Sequence, residues 1–312
     1  MQAVLDELAG LGGKPIETLT AEEARKQPTP ADAVKKILLK QGKAMPEKVD
    51  KVEDVTIALS DHSVEGRVYK PEGAGPFPVI LYIHGGGWVI ADLDTYDSTP
   101  RALANAAGAV VVSTHYRQAP EHKFPAAHED AFGAYQWTLA NAQKWGGDTK
   151  KVAVVGESAG GNMAAAVCFM AQDKGMQMPV HQVLVYPVAD TKMDTPSYKE
   201  NANAKPLNAA MMKWFADQTF ANKEDANDPK VALLQTKTLK GLPPVTIVTA
   251  QIDPLRSEGE ALAEKFKTDG VPVSYKNYEG VTHEFFGMGA VVDKAKEAVG
   301  FVAGELKTSF SK

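Results

Sequence analysis

Uninterrupted apolar runs recur along the chain and are separated by stretches with the apolar spacing of helices. The runs are short and rich in β-branched residues, which is typical of buried strands. They occupy residues 79–83, 109–113, 151–155, 183–186 and 245–248. Helical stretches lie at 98–107, 126–144, 158–172, 207–220 and 257–268, followed by a last strand at 271–276 and a closing helix at 291–306. Continuous apolar strands that alternate with helices predict an α/β fold, with a mostly parallel sheet covered by helices on both faces.

The pattern is different ahead of these runs, where apolar and polar positions alternate. Residues 52–59 and 64–69 both alternate, and a Ser-Asp-His turn at 60–62 separates them. Alternation indicates strands with one buried and one exposed face. We therefore predict an antiparallel N-terminal hairpin.

Two segments do not fit the alternation of strands and helices. The first is polar and helical, with a capping-box helix start at Thr20 and Glu23 and an apolar stripe at 37–39 that needs a surface to cover. The second holds no strand candidate, only a helix rich in Met and aromatic residues. An insertion at the carboxyl end of a parallel strand lies over the ligand site of an open α/β sheet. The predicted division is a core at 51–187 and 229–312 with a helical cap at 1–50 and 188–228.

Composition narrows the function classes. The 312 residues are 44% hydrophobic and 23% charged, which is ordinary for a globular protein, and the net charge of −5 argues against a nucleic-acid surface. The single cysteine, Cys168, excludes an intrachain disulfide framework. No apolar stretch is long enough for a transmembrane helix, and residues 1–10 lack a basic signal-peptide start. We expect a cytoplasmic protein, or a periplasmic or secreted one if the N-terminus was trimmed, and a homodimer is left open.

The main chemical candidate is Gly156-Glu157-Ser158-Ala159-Gly160, between the apolar run 151–155 and an Ala- and Met-rich helix. Glycines two positions on either side of Ser158 allow a sharp strand-to-helix turn, because no Cβ clashes with the neighbouring segments. This arrangement is the nucleophile elbow of the α/β hydrolase fold, which exposes the serine hydroxyl at the carboxyl edge of the sheet.

A serine nucleophile needs a base and a group that orients the base. In this fold the acid follows the serine in the chain and the histidine comes last. Asp253 follows the strand 245–250, and His283 follows the last strand, so both lie at the edge that holds Ser158. We predict that His283 exchanges the proton of Ser158 and that Asp253 holds the histidine tautomer.

The sequence His84-Gly85-Gly86-Gly87-Trp88 follows the strand 79–83. Three glycines let backbone N–H groups turn toward a substrate oxygen, so two of them, with the N–H of Ala159, are predicted to form an oxyanion hole. The triplet is not a phosphate loop, since no Gly-Lys-Ser/Thr follows it. His115, His122 and His128 lack the spacing of a metal site, and we predict catalysis without metal. His84 is predicted to anchor its loop.

With these motifs, the chain resembles the hormone-sensitive-lipase-like family of bacterial carboxylesterases over about residues 50–308. The resemblance rests on HGGGW at 84–88, YRQAPEHKFPAA at 116–127, GESAGG at 156–161, DPLR at 253–256 and the loop of His283. It implies an α/β hydrolase core with a helical cap, no cofactor and hydrolysis of short-chain esters. By position it implies Ser158 as nucleophile, Asp253 as acid and His283 as base.

Several positions depart from the family pattern. Glu157 stands where many members have Asp, and Gln118 stands where Leu is common. His115 stands near a position where many members have an acidic residue, and Ser257 follows Arg256 where another Asp is usual. These departures bear on the hydrogen bonds around the site and on the working pH. We interpret Arg117 and Glu121 as a buried ion pair.

The leading hypothesis is a serine carboxylesterase acting on small-molecule esters through an acyl-enzyme. An amidase or peptidase with the same residues, or a small-molecule receptor that has lost catalysis, are the alternatives. We expect acyl chains of up to about six carbons, because bulky cap residues limit the pocket. The residues expected to line that pocket are Trp88, Met211, Trp214 and Phe215, with 37–39 closing another side and Phe220 as a further candidate.

Overall fold

In the computed structural model, which describes residues 1–43 and 46–312, eight strands form one sheet. The strands are β1 Lys51–Ala58, β2 Ser63–Lys70, β3 Phe77–Ile83, β4 Val110–His115, β5 Gly147–Glu157, β6 Gln182–Val185, β7 Val245–Ile252 and β8 Val273–Thr282. Their order across the sheet is β1-β2-β4-β3-β5-β6-β7-β8. Strand β2 pairs antiparallel with both β1 and β4, whereas every pairing from β4 to β8 is parallel. The predicted α/β hydrolase architecture, with its antiparallel N-terminal hairpin, is confirmed.

Helices cover both faces of the sheet. They are α1 Gln2–Ala9, α2 Ala21–Ala24, α3 Pro30–Lys40, α4 Ser98–Ala107, α5 Ala126–Asn141, α6 Ala159–Asp173, α7 Pro196–Glu200, α8 Ala209–Thr219, α9 Lys223–Ala226, α10 Arg256–Thr268 and α11 Asp293–Phe310. Short 3₁₀ turns lie at Ile16–Thr18, Ala142–Trp145, Leu233–Gln235 and Phe285–Met288. No helix within residues 1–43 and 46–312 has both the length and the apolar character needed to cross a membrane.

The continuous apolar runs are explained by the two faces of the sheet. Along β3, Val79 and Leu81 belong to the hydrophobic cluster on one face, while Ile80 and Tyr82 belong to the cluster on the other. Because side chains alternate between faces along a strand, a strand buried on both sides must be apolar at every position. The outer hairpin instead alternates between buried and accessible positions along β2.

Several elements extend beyond their predicted ends. Strand β5 begins at Gly147, β7 continues to Ile252 and β8 to Thr282. The added residues are mostly polar, and backbone pairing with the neighbouring strand extends these elements: Ile252 on β7, for example, pairs with Thr282. Both strands therefore end immediately before Asp253 and His283.

The N-terminal segment contains two capped helices. Both capping boxes are formed, by Thr20 with Glu23 and by Thr29 with Asp32, but the first helix is only four residues long. The predicted apolar stripe at 37–39 is wrong as a continuous surface. Leu38 is buried in a hydrophobic cluster, whereas Leu39 is 70% exposed, because consecutive residues on a helix point in different directions. Residues 44 and 45 of the predicted segment 1–50 lie outside the described residues.

The insertion predicted at 188–228 holds α7, α8 and α9 and no strand among its described residues. Its longest helix, α8, contacts the N-terminal segment, where the indole N–H of Trp214 donates to the carbonyl of Leu19 at 3.1 Å. The two segments predicted as a cap therefore meet. Their division from the core at 1–50 and 188–228 stays a prediction.

Candidate active site

Ser158 occupies the turn between β5 and α6 with φ 58° and ψ −120°, a conformation that non-glycine residues rarely adopt. The flanking glycines make this turn sterically feasible. A Cβ on Gly156 would overlap with the carbonyl of Gly160, and a Cβ on Gly160 would overlap with the carbonyl of Ile83. The serine is 6% exposed and borders a cavity.

The structure brings Ser158, His283 and Asp253 together although they are far apart in the chain. Nε2 of His283 lies 2.9 Å from Oγ of Ser158, and Nδ1 of the same ring lies 2.6 Å from Oδ2 of Asp253. The other oxygen of Asp253 accepts the N–H of Leu255 at 2.9 Å. A carboxylate at Nδ1 keeps the proton on that nitrogen, which leaves Nε2 free to accept a proton from the serine hydroxyl.

His283 is buried, and its surroundings act on its pKa in opposite directions. Burial lowers the pKa, but the charge and hydrogen bond of Asp253, together with Glu284 and Glu157, raise it above the usual value. The ring of Tyr186 lies against the imidazole, with 4.4 Å between the centroids. The base is therefore held from one side by a carboxylate and from another by an aromatic ring.

Glu157, which departs from the family pattern, is fully buried beside Ser158. It accepts hydrogen bonds from the hydroxyl of Tyr82 at 2.5 Å and from the hydroxyl of Tyr186. Burial, with the charge of Glu284, raises the pKa of Glu157 to about 7 against the effect of these hydrogen bonds. The longer side chain of Glu is thus accommodated by two tyrosines, one of which also contacts His283.

The glycine-rich loop lies beside Ser158. Gly86 and Gly87 border the cavity with φ values of 94° and 57°, whereas Gly85 and Ala159 do not border it. Gly85 is closely packed, since its carbonyl accepts the hydroxyl of Tyr116 at 2.8 Å and an added Cβ would overlap with Tyr96. Which of these N–H groups bind the oxyanion stays a prediction.

His84, at the start of that loop, is buried and makes contacts within the protein. Its Nδ1 lies 2.8 Å from the carbonyl of Gly85, its Nε2 lies 3.2 Å from Nδ1 of His115, and its ring stacks on Tyr116. Burial, with a contribution from His115, lowers the pKa of His84 to about 3, so the ring is neutral at physiological pH. These contacts are those expected of a loop anchor.

A cavity of about 760 Å³ lies above Ser158 and is bordered by the N-terminal segment and by α8. Met211 and Phe215 line it as predicted, and Trp88 borders it while its indole ring stacks on His128. The prediction for Trp214 is wrong: its ring is directed to the carbonyl of Leu19 and does not border the cavity. Successive side chains on a helix are about 100° apart, and at this point of α8 the side of Phe215 faces the cavity while the side of Trp214 faces the N-terminal segment.

The N-terminal wall of this cavity also differs from the prediction. Residues 37–39 do not border it, and Leu38 packs instead in the hydrophobic cluster that contains Val34. Phe220 does not border it either, because its ring packs on Trp88 and Phe124. The wall is formed by α1 and the residues that follow it. Its apolar members are Leu5, Leu8, Ala9, Ile16 and Ala24.

The predicted ion pair between Arg117 and Glu121 is not formed. Arg117 binds both oxygens of the buried Asp130, at 2.8 and 2.9 Å. Glu121 instead receives two hydrogen bonds from Arg25, at 2.7 and 2.8 Å. Asp130 lies on α5 just beyond the motif and Arg25 lies in the N-terminal segment, so spacing within the motif reveals neither partner.

Arg25 connects the N-terminal segment to the loop of the glycine triplet. Besides Glu121, its guanidinium donates to the carbonyl of Val89 at 2.8 Å and to the carbonyl of Ala119 at 2.8 Å. Gln118, one of the positions that depart from the family pattern, donates to the carbonyls of Ile90 and Ala91 at 2.9 and 2.8 Å. Several long-range hydrogen bonds therefore hold the backbone just after the glycine-rich loop.

The histidines considered for a metal site are dispersed. Among residues 1–43 and 46–312, no group of three or more His, Cys, Asp and Glu side chains is placed to bind a metal ion. His128, for example, lies 2.9 Å from the amide oxygen of Asn162, and burial lowers its pKa to about 4. Catalysis without metal stays a prediction.

Glu284 is a site residue that the sequence motifs did not predict. This residue follows His283, lines the cavity and has φ 70°. Its Oε1 accepts the hydroxyl of Tyr96 at 2.7 Å and lies 3.8 Å from Nε2 of His283. Its position directly after the candidate base was the signal that could have identified it.

Comparison with known proteins gives consistent matches over almost the whole chain. A family model described as the alpha/beta hydrolase fold matches residues 80–287. The chain is 38% identical over 297 residues to carboxylesterase NlhH of Mycobacterium tuberculosis, covering 89% of this chain and 90% of that one. It is 33% identical over 298 residues to ethyl acetate hydrolase of Pseudomonas putida, covering 94% and 92%. A solved hyperthermophilic esterase of the archaeon Pyrobaculum calidifontis superposes with a TM-score of 0.89 at 38% identity, covering 98% and 96%.

Proposed function

Since the chain belongs to the α/β hydrolase family, within its hormone-sensitive-lipase-like group of carboxylesterases, we propose that it hydrolyses carboxylic esters through an acyl-enzyme formed on Ser158. The observation that carries this proposal is the hydrogen-bonded chain Ser158–His283–Asp253, with distances of 2.9 and 2.6 Å, at the floor of a cavity. Relatives named as a carboxylesterase and an ethyl acetate hydrolase support an ester as the substrate.

In the proposed mechanism, Oγ of Ser158 attacks the ester carbonyl while Nε2 of His283 accepts the hydroxyl proton. The resulting imidazolium is stabilised by Asp253 at Nδ1 and then donates the proton to the leaving alcohol. Water then attacks the acyl carbonyl while Nε2 of His283 accepts a proton from it, and the imidazolium gives that proton to Oγ of Ser158 as the bond between the acyl group and the serine breaks and the carboxylic acid leaves. The raised pKa of His283 suits this exchange, because the group must be readily protonated and deprotonated near neutral pH.

Negative charge develops on the carbonyl oxygen during both steps. We propose that N–H groups of the triplet Gly85–Gly87 and of Ala159 stabilise it, with Gly86 and Gly87 best placed because they border the cavity. The positive φ of these two glycines supports this assignment, because residues with a Cβ could not adopt this backbone conformation without strain.

We further propose that residues 1–50 and 188–228 act as a cap that limits the acyl chain to about six carbons. The support is the position of Phe215 on α8, whose ring contacts Gly87 so closely that a Cβ there would overlap with it. An acyl chain bound at Ser158 therefore meets an aromatic ring close to the reacting carbon.

The test is hydrolysis of p-nitrophenyl butyrate by the Ser158→Ala variant, combined with labelling by a fluorophosphonate. We expect essentially complete loss of turnover, an unchanged melting temperature and a single adduct on the peptide that contains Ser158 in the unmodified protein.

Ser309 provides the matched control. Its Oγ also lies 2.9 Å from a histidine nitrogen, Nδ1 of His181, but Nε2 of that ring faces the hydroxyl of Thr246 and not a carboxylate. Ser309→Ala should keep full activity and full labelling. Residual turnover in Ser158→Ala, or label on another serine, would refute the assignment of the nucleophile.

A further inference from the structure

Glu284 has an unusual backbone conformation for its residue type. Its φ of 70° lies in the left-handed region, where glycine is favoured because it has no Cβ to clash with the backbone. Strained positions of this kind concentrate at functional sites, where the surrounding structure holds them. A glutamate held in this conformation beside His283 therefore points to a functional role for its side chain.

The carboxylate of Glu284 faces the cavity and is only partly neutralised. One oxygen, Oε1, accepts the hydroxyl of Tyr96, and the side chain keeps 22% of its surface accessible. Among the described residues, no Lys or Arg nitrogen lies within 4.0 Å of it, and the nearest basic group is Nε2 of His283 at 3.8 Å. A carboxylate so placed is available to a donor or a cation on a bound substrate.

The distances locate this carboxylate relative to the leaving group. To protonate the leaving alcohol, Nε2 of His283 must come within hydrogen-bonding distance of the alcohol oxygen. Oε1 of Glu284 is 3.8 Å from that same nitrogen. The alcohol oxygen and the carboxylate therefore share Nε2 of His283 as a neighbour, and a link of two carbons from the alcohol oxygen is long enough to bring a polar group to Glu284.

We propose that Glu284 is a specificity-determining residue that selects esters whose alcohol carries a hydroxyl or ammonium group on its second carbon. This inference rests on the proposed ester hydrolysis, since it uses His283 as the group that protonates the leaving alcohol. Esters of diols and of amino alcohols are the substrate class that it names. Esters whose alcohol carries a carboxylate at the same place are disfavoured by repulsion between like charges.

The experiment uses two pairs of butyrate esters with matched shapes. 2-Hydroxyethyl butyrate is compared with propyl butyrate, and protonated 2-(dimethylamino)ethyl butyrate with 3-methylbutyl butyrate. The readout is the ratio of kcat/KM within each pair, measured for the unmodified protein and for Glu284→Gln. Intrinsic differences in ester reactivity cancel when the ratio of one protein is divided by that of the other.

We expect the ratio for the cationic pair to fall about tenfold or more in Glu284→Gln, because a charge-assisted hydrogen bond is lost. The ratio for the hydroxyl pair should fall less, by about two- to fivefold. Glu279→Gln is the matched control: it removes the same charge from an exposed position on β8, outside the cavity, and should leave both ratios unchanged.

The outcomes separate this inference from the proposed function. Equal losses for all four esters would assign Glu284 to structural support of His283 and overturn the specificity role, as would ratios that do not change. Failure of Ser158→Ala to abolish hydrolysis would instead contradict the proposed mechanism. If Glu284→Gln does not fold, Glu284→Gly, which suits the backbone at this position, provides the same comparison.

Discussion

Replacing Phe215 by alanine removes the aromatic ring that narrows the cavity beside the glycine-rich loop. Phe215 is 5% exposed and packs in the hydrophobic cluster that also holds Trp88. Loss of a buried Phe side chain costs about 3–5 kcal/mol of unfolding free energy. The variant should therefore unfold at a lower temperature but keep the hydrogen bonds of Ser158, His283 and Asp253, none of which involves α8.

The effect on substrate choice follows from the space that becomes free. The space left by a phenyl ring holds about three methylene groups of a longer acyl chain. Burial of each methylene contributes about 0.8 kcal/mol of binding free energy. Three such groups give about 2.4 kcal/mol, which is roughly a 50-fold gain in kcat/KM for the longer chains relative to butyrate. The optimum for p-nitrophenyl esters should move from at most about six carbons to about nine.

Trp214 gives the control on the same helix. Trp214→Ala loses a buried aromatic ring and the hydrogen bond to Leu19, so it should be destabilised by a similar amount, but its ring does not border the cavity. The chain-length profile of this variant should match that of the unmodified protein. Equal shifts in both variants, or no shift in Phe215→Ala, would refute the assignment of Phe215 as the residue that limits the acyl chain.

Three further predictions concern the reacting groups. First, kcat/KM should rise between about pH 6 and 8, because His283 must be neutral to accept a proton and its raised pKa keeps the protonated, inactive form present to higher pH. A flat pH profile would exclude His283 as the base. Asp253→Asn should lower the rate by up to about 10⁴-fold. Second, Gly86→Ala should lower kcat by about 10²–10³-fold, because the added Cβ would overlap with the carbonyl of Ile90 and displace the loop. Gly108→Ala is the control: Gly108 also has a positive φ but has open space around it, so this variant should change stability only. Equal kcat values in the two variants would contradict the role of the loop. Third, dialysis against a strong chelator should leave kcat unchanged; activity that is lost and then restored by zinc would reveal a metal requirement.

The core of the fold could be predicted from the sequence because each buried strand has a recognisable local pattern of apolar residues. Val79 to Ile83 is apolar at every position since both faces of the sheet are covered, and such a run needs no knowledge of distant residues. The positions of Asp253 and His283 follow from the same pattern, because parallel strands bring their carboxyl ends to one edge. Local pattern is sufficient for this part of the structure.

Side-chain contacts between separate elements could not be predicted in this way. Arg117 pairs with Asp130 and Glu121 with Arg25, and the second pairing spans 96 positions of sequence. The direction of Trp214 depends on the N-terminal segment that lies against α8. In each case the partner is set by how elements pack, and a single sequence carries no direct signal of that packing.

Arg25 links the stability of a weak element to the geometry of the glycine-rich loop. It follows a helix of only four residues, and short elements near a chain terminus can open locally at a lower free energy than the whole domain. When the N-terminal segment detaches, Val89 and Ala119 each lose a guanidinium donor, although the sheet remains intact. We therefore expect mild denaturant to abolish activity at a lower concentration than the one at which the core unfolds cooperatively.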